Sequence, residues 1–497
     1  MSIKSRGNLL RGVLFGLVLI SQTATTEGRI FQDEEHNRPG EDLFKKVWKP
    51  NQTDKSNSAD GLGPMFNGIS CVACHNQGGI GGSGDNIANV QILTVLPRQD
   101  SRRNFRLDQI ALEMLFKQAV KLHPDFEFQN SVILHRSSVQ NEAYGRWLKD
   151  IFEFKSVTKA TGFESNRKLV EERGRLLFET PIHRVKKGSA KDRYTIQISR
   201  RNTPSLFGVG IIDMISDQDI LALESAQKKT DGPVKGVASI SADGEIGKFG
   251  WRGEQSSVAK FTAQACAIEL GLSNIDHPQA RLPFSKSRYS IQKSHDISKS
   301  QIKELVEFVN SLDPKPIRRS KTHSELQLLQ KGQEQFHTIG CANCHVQTVG
   351  IAKNVFSDFL LHDMGPELAD ASHSIRKKTH SPAHSPVYGR SKAEFEIQNP
   401  QRWQTPPLWG AALSAPYMHD GRADSFHDAI LVHGGEAASS VDKYQRLTPF
   451  DRKLVLEFLQ SLGDDSTGGN EELPPETHGW GTPPPRSRQG RLVRKQP

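Results

Sequence analysis

Cys71-Val72-Ala73-Cys74-His75 and Cys341-Ala342-Asn343-Cys344-His345 are two copies of one pentapeptide, and together they use four of the chain's five cysteines. C-x-x-C-H is the attachment pattern for c-type haem. Each thiol adds to one haem vinyl group, and the adjacent histidine becomes the proximal iron ligand. At this chain's Cys and His frequencies, one such pentapeptide arises by chance in only about two chains per thousand. Two copies point to a protein with two covalent haems.

Three other readings use the same residues. Paired C-x-x-C units also build structural zinc sites, but these pairs stand 270 residues apart and each carries its trailing histidine. A thioredoxin-like redox site needs one pair beside a βαβ pattern, not two. Disulfides within each pair would close small strained rings and leave the histidines unexplained. The fifth cysteine, Cys266, lies in the apolar run Ala265-Cys266-Ala267-Ile268 and reads as a small buried side chain.

The chain has 497 residues, enough for two to four domains with cores of their own. Lys4, Arg6 and Arg11 precede an apolar run from Val13 to Ile20 and a small polar stretch, Ser21 to Ala24. That is a secretory signal pattern over 1–24, too short to span a bilayer. Export agrees with haem attachment outside the cytoplasm, and a membrane association follows only if the signal stays uncleaved. The net charge of +9 falls to +6 without those three residues, a small excess that does not suggest nucleic-acid binding. The segment 464–497 is Gly/Pro-rich, acidic and then basic, and reads as a disordered tail.

The two motifs head two modules. Before the second, Leu328 to Phe336 has helical periodicity with Gly332 and Phe336 four residues apart. Small cytochrome c domains begin in this way, and their first helix is crossed by the last. Here the last helix is the run from Leu447 to Leu462, with Thr448 as N-cap and Pro449 in the first turn. A matching helix from Ile297 to Leu312 closes the first module and is stopped by Pro314 and Pro316. The expected fold class is mainly α: two cytochrome c-like helical domains, 25–313 and 326–463, each around one covalent haem and joined by a linker, 314–325. The first carries an α/β insertion at about 90–200, with strands at Val90–Leu96 and Val132–Leu134 and helices at Leu107–Val120 and Leu169–Phe178.

Asn202-Thr203-Pro204-Ser205-Leu206-Phe207-Gly208 is echoed by Gln404-Thr405-Pro406-Pro407-Leu408-Trp409-Gly410, a sign of duplication. Further strings are Gly63-Pro64-Met65-Phe66-Asn67, Phe249-Gly250-Trp251, Asp358 to Gly365, His419-Asp420-Gly421-Arg422-Ala423 and His433-Gly434-Gly435-Glu436-Ala437. In their number and order they resemble the di-haem oxidoreductases of the bacterial di-haem cytochrome c peroxidase superfamily. The resemblance runs from about Asp60 to Leu462, excluding most of the insertion.

That resemblance implies an exported peroxidase-like oxidoreductase. Electrons from a small redox protein or the quinone pool would enter at the C-terminal haem, on Cys341, Cys344 and His345. Hydrogen peroxide or a protein substrate would react at the N-terminal haem, on Cys71, Cys74 and His75. Relatives place the sixth ligand of the C-terminal haem twelve residues beyond the Gly of an H-D-G-R turn, which gives His433, with Met418 and Met364 as competitors. They also keep a tryptophan between the haems, here Trp251, and a carboxylate over the reactive iron about twenty residues later. Glu269 follows Trp251 by 18 residues, with Gln264 between. Heterolytic O–O cleavage needs a base that moves a proton between the two oxygens, and a carboxyl held in an apolar helix has a proton affinity raised toward that task. The plainer alternatives are a core tryptophan, a solvated glutamate and a surface histidine. His123, His135 and His183 lie in the insertion, where the resemblance assigns no distal ligand. It also raises calcium between the modules. The rival function is a non-catalytic di-haem electron-transfer cytochrome with both irons six-coordinate.

Overall fold

The computed structural model describes residues 38–50, 61–97, 109–152, 169–172, 175–178, 183–185, 194–284, 294–318, 320, 322–370, 374–377 and 395–463. The signal segment 1–24 and the tail 464–497 lie outside them, as does the side chain of His183.

Two helix crossings organise the chain. His323–Thr338 packs on Pro449–Gln460, and Pro39–Lys45 packs on Lys299–Asn310. Each crossing is made at a glycine. A Cβ on Gly332 would stand 2.2 Å from the Leu454 carbonyl oxygen, and one on Gly40 would stand 2.0 Å from that of Glu304. Only a residue without a side chain lets two backbones approach so closely. One turn further, the Phe336 and Phe458 rings meet at 5.4 Å, and those of Phe44 and Phe308 at 5.2 Å. The Gly-x-x-x-Phe pattern read before the second motif thus recurs at Gly40–Phe44. The sequence reading assigns no helix there, because 26 residues separate Phe44 from Cys71 where four separate Phe336 from Cys341.

The helix ends follow local chemistry. Thr448 Oγ1 accepts the Asp451 amide at 3.1 Å with Pro449 in the first turn, as expected. Ser298 and Gln301 form a reciprocal capping box at the start of Lys299–Asn310. The stretch read as linker, 314–325, ends inside the next helix, whose N-cap Thr322 accepts the Glu325 amide at 3.1 Å.

The insertion contains a four-stranded antiparallel sheet in the order Ser131–Leu134, Val90–Pro97, Tyr194–Arg201, His183–Val185. Alternate residues (Leu93 and Val95, Val132 and Leu134, Ile196 and Ile198) form a core with Leu115, Ala119 and Ile151 of the helices Gln109–Ala119 and Asn141–Phe152. One expectation is corrected. Leu169–Phe178 is not helical but two strands, Leu169–Glu172 and Arg175–Phe178, paired antiparallel. Gly174 costs a helix interior about 1 kcal/mol, which weighs against the helical reading of this run. The described residues are mainly helical with small antiparallel sheets, the coarse part of the expected class. No helix among the described residues is long and apolar enough to cross a membrane.

Candidate haem sites and their junction

The two pentapeptides fold alike. The His75 amide donates to Cys71 O at 3.0 Å, and the His345 amide to Cys341 O at 2.9 Å. His75 Nδ1 donates to Gly82 O at 3.1 Å and His345 Nδ1 to Phe356 O at 2.9 Å. A carbonyl can only accept, so Nδ1 carries the proton; this leaves Nε2 of His345 for a metal, while the His75 ring also lies against the Pro204 backbone. Burial lowers both imidazoles to a pKa of about 4, keeping them in the neutral form that ligates. Phe44 and Phe336, from the crossing helices, lie 6.3 Å and 6.2 Å from these rings. All five cysteines are free of disulfides, and Cys266 is buried in the core, as expected.

A cavity of about 290 Å³ opens on the second motif and is lined by Cys341, Cys344 and His345. His433 lines it too, at the end of the helix Phe426–Val432. Its Nδ1 donates to Ala429 O at 2.6 Å, which again reserves Nε2. Met364 and Met418 share the walls, so all three candidate sixth ligands come together here. Cys344 also neighbours His362 and Asp358, a grouping of metal-ligating types. However, His362 has Asp358 on Nε2 at 2.9 Å and Glu436 on Nδ1 at 2.8 Å, so neither ring nitrogen is open to a metal.

First-module residues complete the same cavity, among them Asn202, Phe207 and Trp251. Trp251 Nε1 donates to Asn202 O at 2.8 Å, which fixes the ring. The ring meets His419 edge-on at 6.5 Å, and His419 stacks on Trp403 at 3.6 Å. Burial lowers His419 to about 3, so this stack contains a neutral imidazole. Behind it, the guanidiniums of Arg201 and Arg252 lie 4.9 Å and 4.3 Å from the Trp403 ring, and both pair with Asp370.

Glu269 lies apart from that cavity, at the end of the helix Val258–Glu269 and on the side of the first motif. Its charge bears on Cys74. Burial raises its proton affinity, against the opposing effects of a hydrogen bond from Asn67 Nδ2 at 2.7 Å and the positive charge of Arg136. Gln264 is not brought to it. Five residues away on a helix is about 140° round the axis, and Gln264 Oε1 instead accepts from Gln255 at 2.9 Å. His123 is buried as the cap of a 3₁₀ turn, while His135 Nε2 donates to Ile268 O at 2.9 Å, beside Glu269.

The family described as "Di-haem oxidoreductase, putative peroxidase" matches residues 178–462, more than half of the chain. The chain belongs to this di-haem oxidoreductase family. The matched span includes Trp251, Glu269, the second motif and His433; the first motif and most of the insertion precede it. No curated protein matches the chain. Among solved structures, hydrazine synthase from Kuenenia stuttgartiensis is 16% identical, covering 53% of this chain and 73% of that one with a TM-score of 0.28. A MauG-like protein associated with microbial copper homeostasis is 16% identical, covering 52% and 87% with a TM-score of 0.26. Both likenesses are too distant to carry an argument.

Within this di-haem oxidoreductase, the sequence reading did not single out Trp403, Asn67 or Arg136. Asn67 and Glu269 are 202 residues apart, and no spacing rule links them. His419 did leave a signal. Phe249-Gly250-Trp251-Arg252-Gly253 and Tyr417-Met418-His419-Asp420-Gly421 form the same turn, closed by bridges from Phe249 to Gln255 and from Tyr417 to Ala423.

Proposed function

We propose that this di-haem oxidoreductase is an exported c-type enzyme with peroxidase-like activity. Cys71, Cys74 and His75 would hold one haem, and Cys341, Cys344, His345 and His433 the other. The fit rests on three part-buried imidazoles, each held neutral with Nδ1 tied to a backbone carbonyl. Haem iron supplies one-electron chemistry and an acceptor site for peroxide oxygen.

The observation that carries the catalytic reading is Glu269, a carboxyl of raised proton affinity beside Cys74 in the first module. Such a group takes a proton from one peroxide oxygen and returns it to the other, the task of a general acid–base. The duplication supports an open site there. His433 stands twelve residues beyond Gly421, and the residue twelve beyond the equivalent Gly253 is Ala265, which has no ligand atom. Electrons would be received at the second module from a small redox protein or a quinone-pool donor, with Trp251 at the junction shortening their path. The substrate would be hydrogen peroxide or an oxidisable protein partner. The domains 25–313 and 326–463, the insertion apart, are then the peroxidatic and electron-receiving modules. Calcium between the modules would draw on oxygen ligands, and among the described residues Asn89 Oδ1 and Asn202 Oδ1 are buried amide oxygens without a hydrogen-bond partner, near the His419–Gly421 turn.

The test is an electronic spectrum of the purified full chain, ferric and half-reduced, before and after stoichiometric hydrogen peroxide, with donor-supported turnover measured alongside. A high-spin ferric component that responds to peroxide supports the proposal. Two low-spin haems that ignore peroxide in both redox states would overturn it and leave an electron-transfer cytochrome.

A further inference from the structure

The insertion supplies part of the surroundings of Glu269. Its strand Ser137–Ser138 pairs antiparallel with Met65–Phe66, immediately before the first haem motif. The preceding residues, His135 and Arg136, sit over the end of the Glu269 helix. His135 Nε2 donates to Ile268 O at 2.9 Å, and the Arg136 amide donates to Asn67 Oδ1 at 3.1 Å.

Asn67 joins these parts. Its backbone amide donates to Glu269 O at 2.7 Å, and its Nδ2 donates to Glu269 Oε2 at 2.7 Å. An amide has two different ends. With Oδ1 engaged by the Arg136 amide, only the NH₂ end can face Glu269, so the carboxylate meets a donor in a fixed direction. Asn67 is 93% buried, so its amide is held by protein partners at both ends. No described residue bonds Glu269 Oε1. We propose that Asn67, oriented by Arg136 of the insertion, is a positioning residue that turns the Glu269 carboxylate so that Oε1 is presented to the reacting molecule. The inference rests on the reading of Glu269 as the acid–base group of the first module. It gives the insertion a task at that site, as the part that orients the clamp.

Among the described residues, the charged and titratable groups facing this carboxyl are few. Arg136 holds its proton affinity down, its guanidinium anchored on Asn89 O at 2.9 Å. Cys74 lies within range of its charge, but a thioether sulfur does not titrate. His135 is held neutral by burial, at a pKa of about 4.

The test uses the full-length haem-loaded protein and an infrared pH titration of the protonated-carboxyl band that Glu269→Gln removes. Asn67→Asp keeps the acceptor for the Arg136 amide but sets an oxygen against Glu269 Oε2. Asn67→Ala removes the donor. Each should move the Glu269 midpoint upward by about one pH unit or more, a tenfold change in proton affinity. The acid limb of the peroxide pH–rate profile, where Glu269 takes up its proton, should move upward with it. If either variant fails to load haem, the other carries the measurement. An unchanged midpoint in the loaded variants would overturn the clamp, whatever the turnover. A shifted midpoint with normal turnover in Glu269→Gln would uphold the clamp and sink the catalytic reading of Glu269 instead.

Discussion

Trp251 and His419 occupy the same position in two copies of one turn, and their rings meet edge to face at 6.5 Å. The backbone around them is exchanged reciprocally. The Gln404 amide donates to Trp251 O at 3.0 Å, while the Asn202 amide donates to His419 O at 2.7 Å. Asn202 and Gln404 are themselves equivalent in the two echoed segments. The exchange is therefore reciprocal in the backbone and asymmetric in the side chains: tryptophan on one side, a neutral imidazole on the other. An indole is the more readily oxidised of the two, so Trp251→Phe should slow donor-supported turnover while leaving the initial reaction with peroxide intact. Stopped-flow and steady-state measurements on the same variant separate these, and equal rates in both assays would exclude a relay through Trp251.

Glu269→Gln removes the proton-carrying group but keeps its shape. Donor-supported peroxide turnover should fall by about 10²- to 10⁴-fold, the usual scale of general acid–base catalysis. The haem absorption of the resting protein should be retained. A rate within a few-fold of the parent would exclude Glu269 as the proton carrier.

His433→Met exchanges a nitrogen ligand for a thioether, and the midpoint potential of the second haem should rise, since Met/His ligation favours the reduced iron. His433→Ala should convert that haem from low-spin to high-spin in the ferric state. Spectroelectrochemical titration of both variants decides the point, and an unaltered second haem would transfer the role to Met364 or Met418.

The glycine crossings predict a graded stability effect. Gly332→Ala and Gly40→Ala place a methyl group 2.2 Å and 2.0 Å from backbone oxygens that cannot swing away. Each should cost about 1–3 kcal/mol. Gly145→Ala, in the helix Asn141–Phe152 with nothing within 4 Å of the added carbon, should be neutral or stabilising by up to about 1 kcal/mol. Denaturant unfolding monitored at the haem bands compares the three.

Acid sensitivity follows from the buried histidines. Burial depresses His419 to about 3 and His123 to about 4, so the folded protein holds them neutral after the unfolded chain has begun to protonate. Their contribution is present above a pH of about 6.5 and is lost as pH falls from there toward 4 and then 3. Unfolding midpoints at pH 7.5 and 5 should therefore drop by less in His419→Asn than in the parent. An equal drop would show that other groups dominate the acid limb.

Features whose cause lies within a few residues are legible along the chain alone. The C-x-x-C-H pentapeptides, the Thr448–Pro449 helix start and the Gly332–Phe336 pattern each encode their geometry locally, through short-range backbone hydrogen bonds, capping or close helix approach. His433 was named by a count from the turn glycine Gly421, and the structure brings it to the cavity of the second motif; the matching count from Gly253 to Ala265 needed the bridges that show the two turns to be alike. Leu169–Phe178 was misread because apolar spacing over ten residues suits a helix or a hairpin, and Gly174 decides between them. Only the tertiary structure decided that Gly40 crosses Glu304, that Asn67 grips Glu269 across 202 residues, and that Arg136 of the insertion fixes the Asn67 amide. Those contacts come from packing between distant segments, whose energy depends on complementary surfaces and directed hydrogen bonds. No residue spacing along the chain records either.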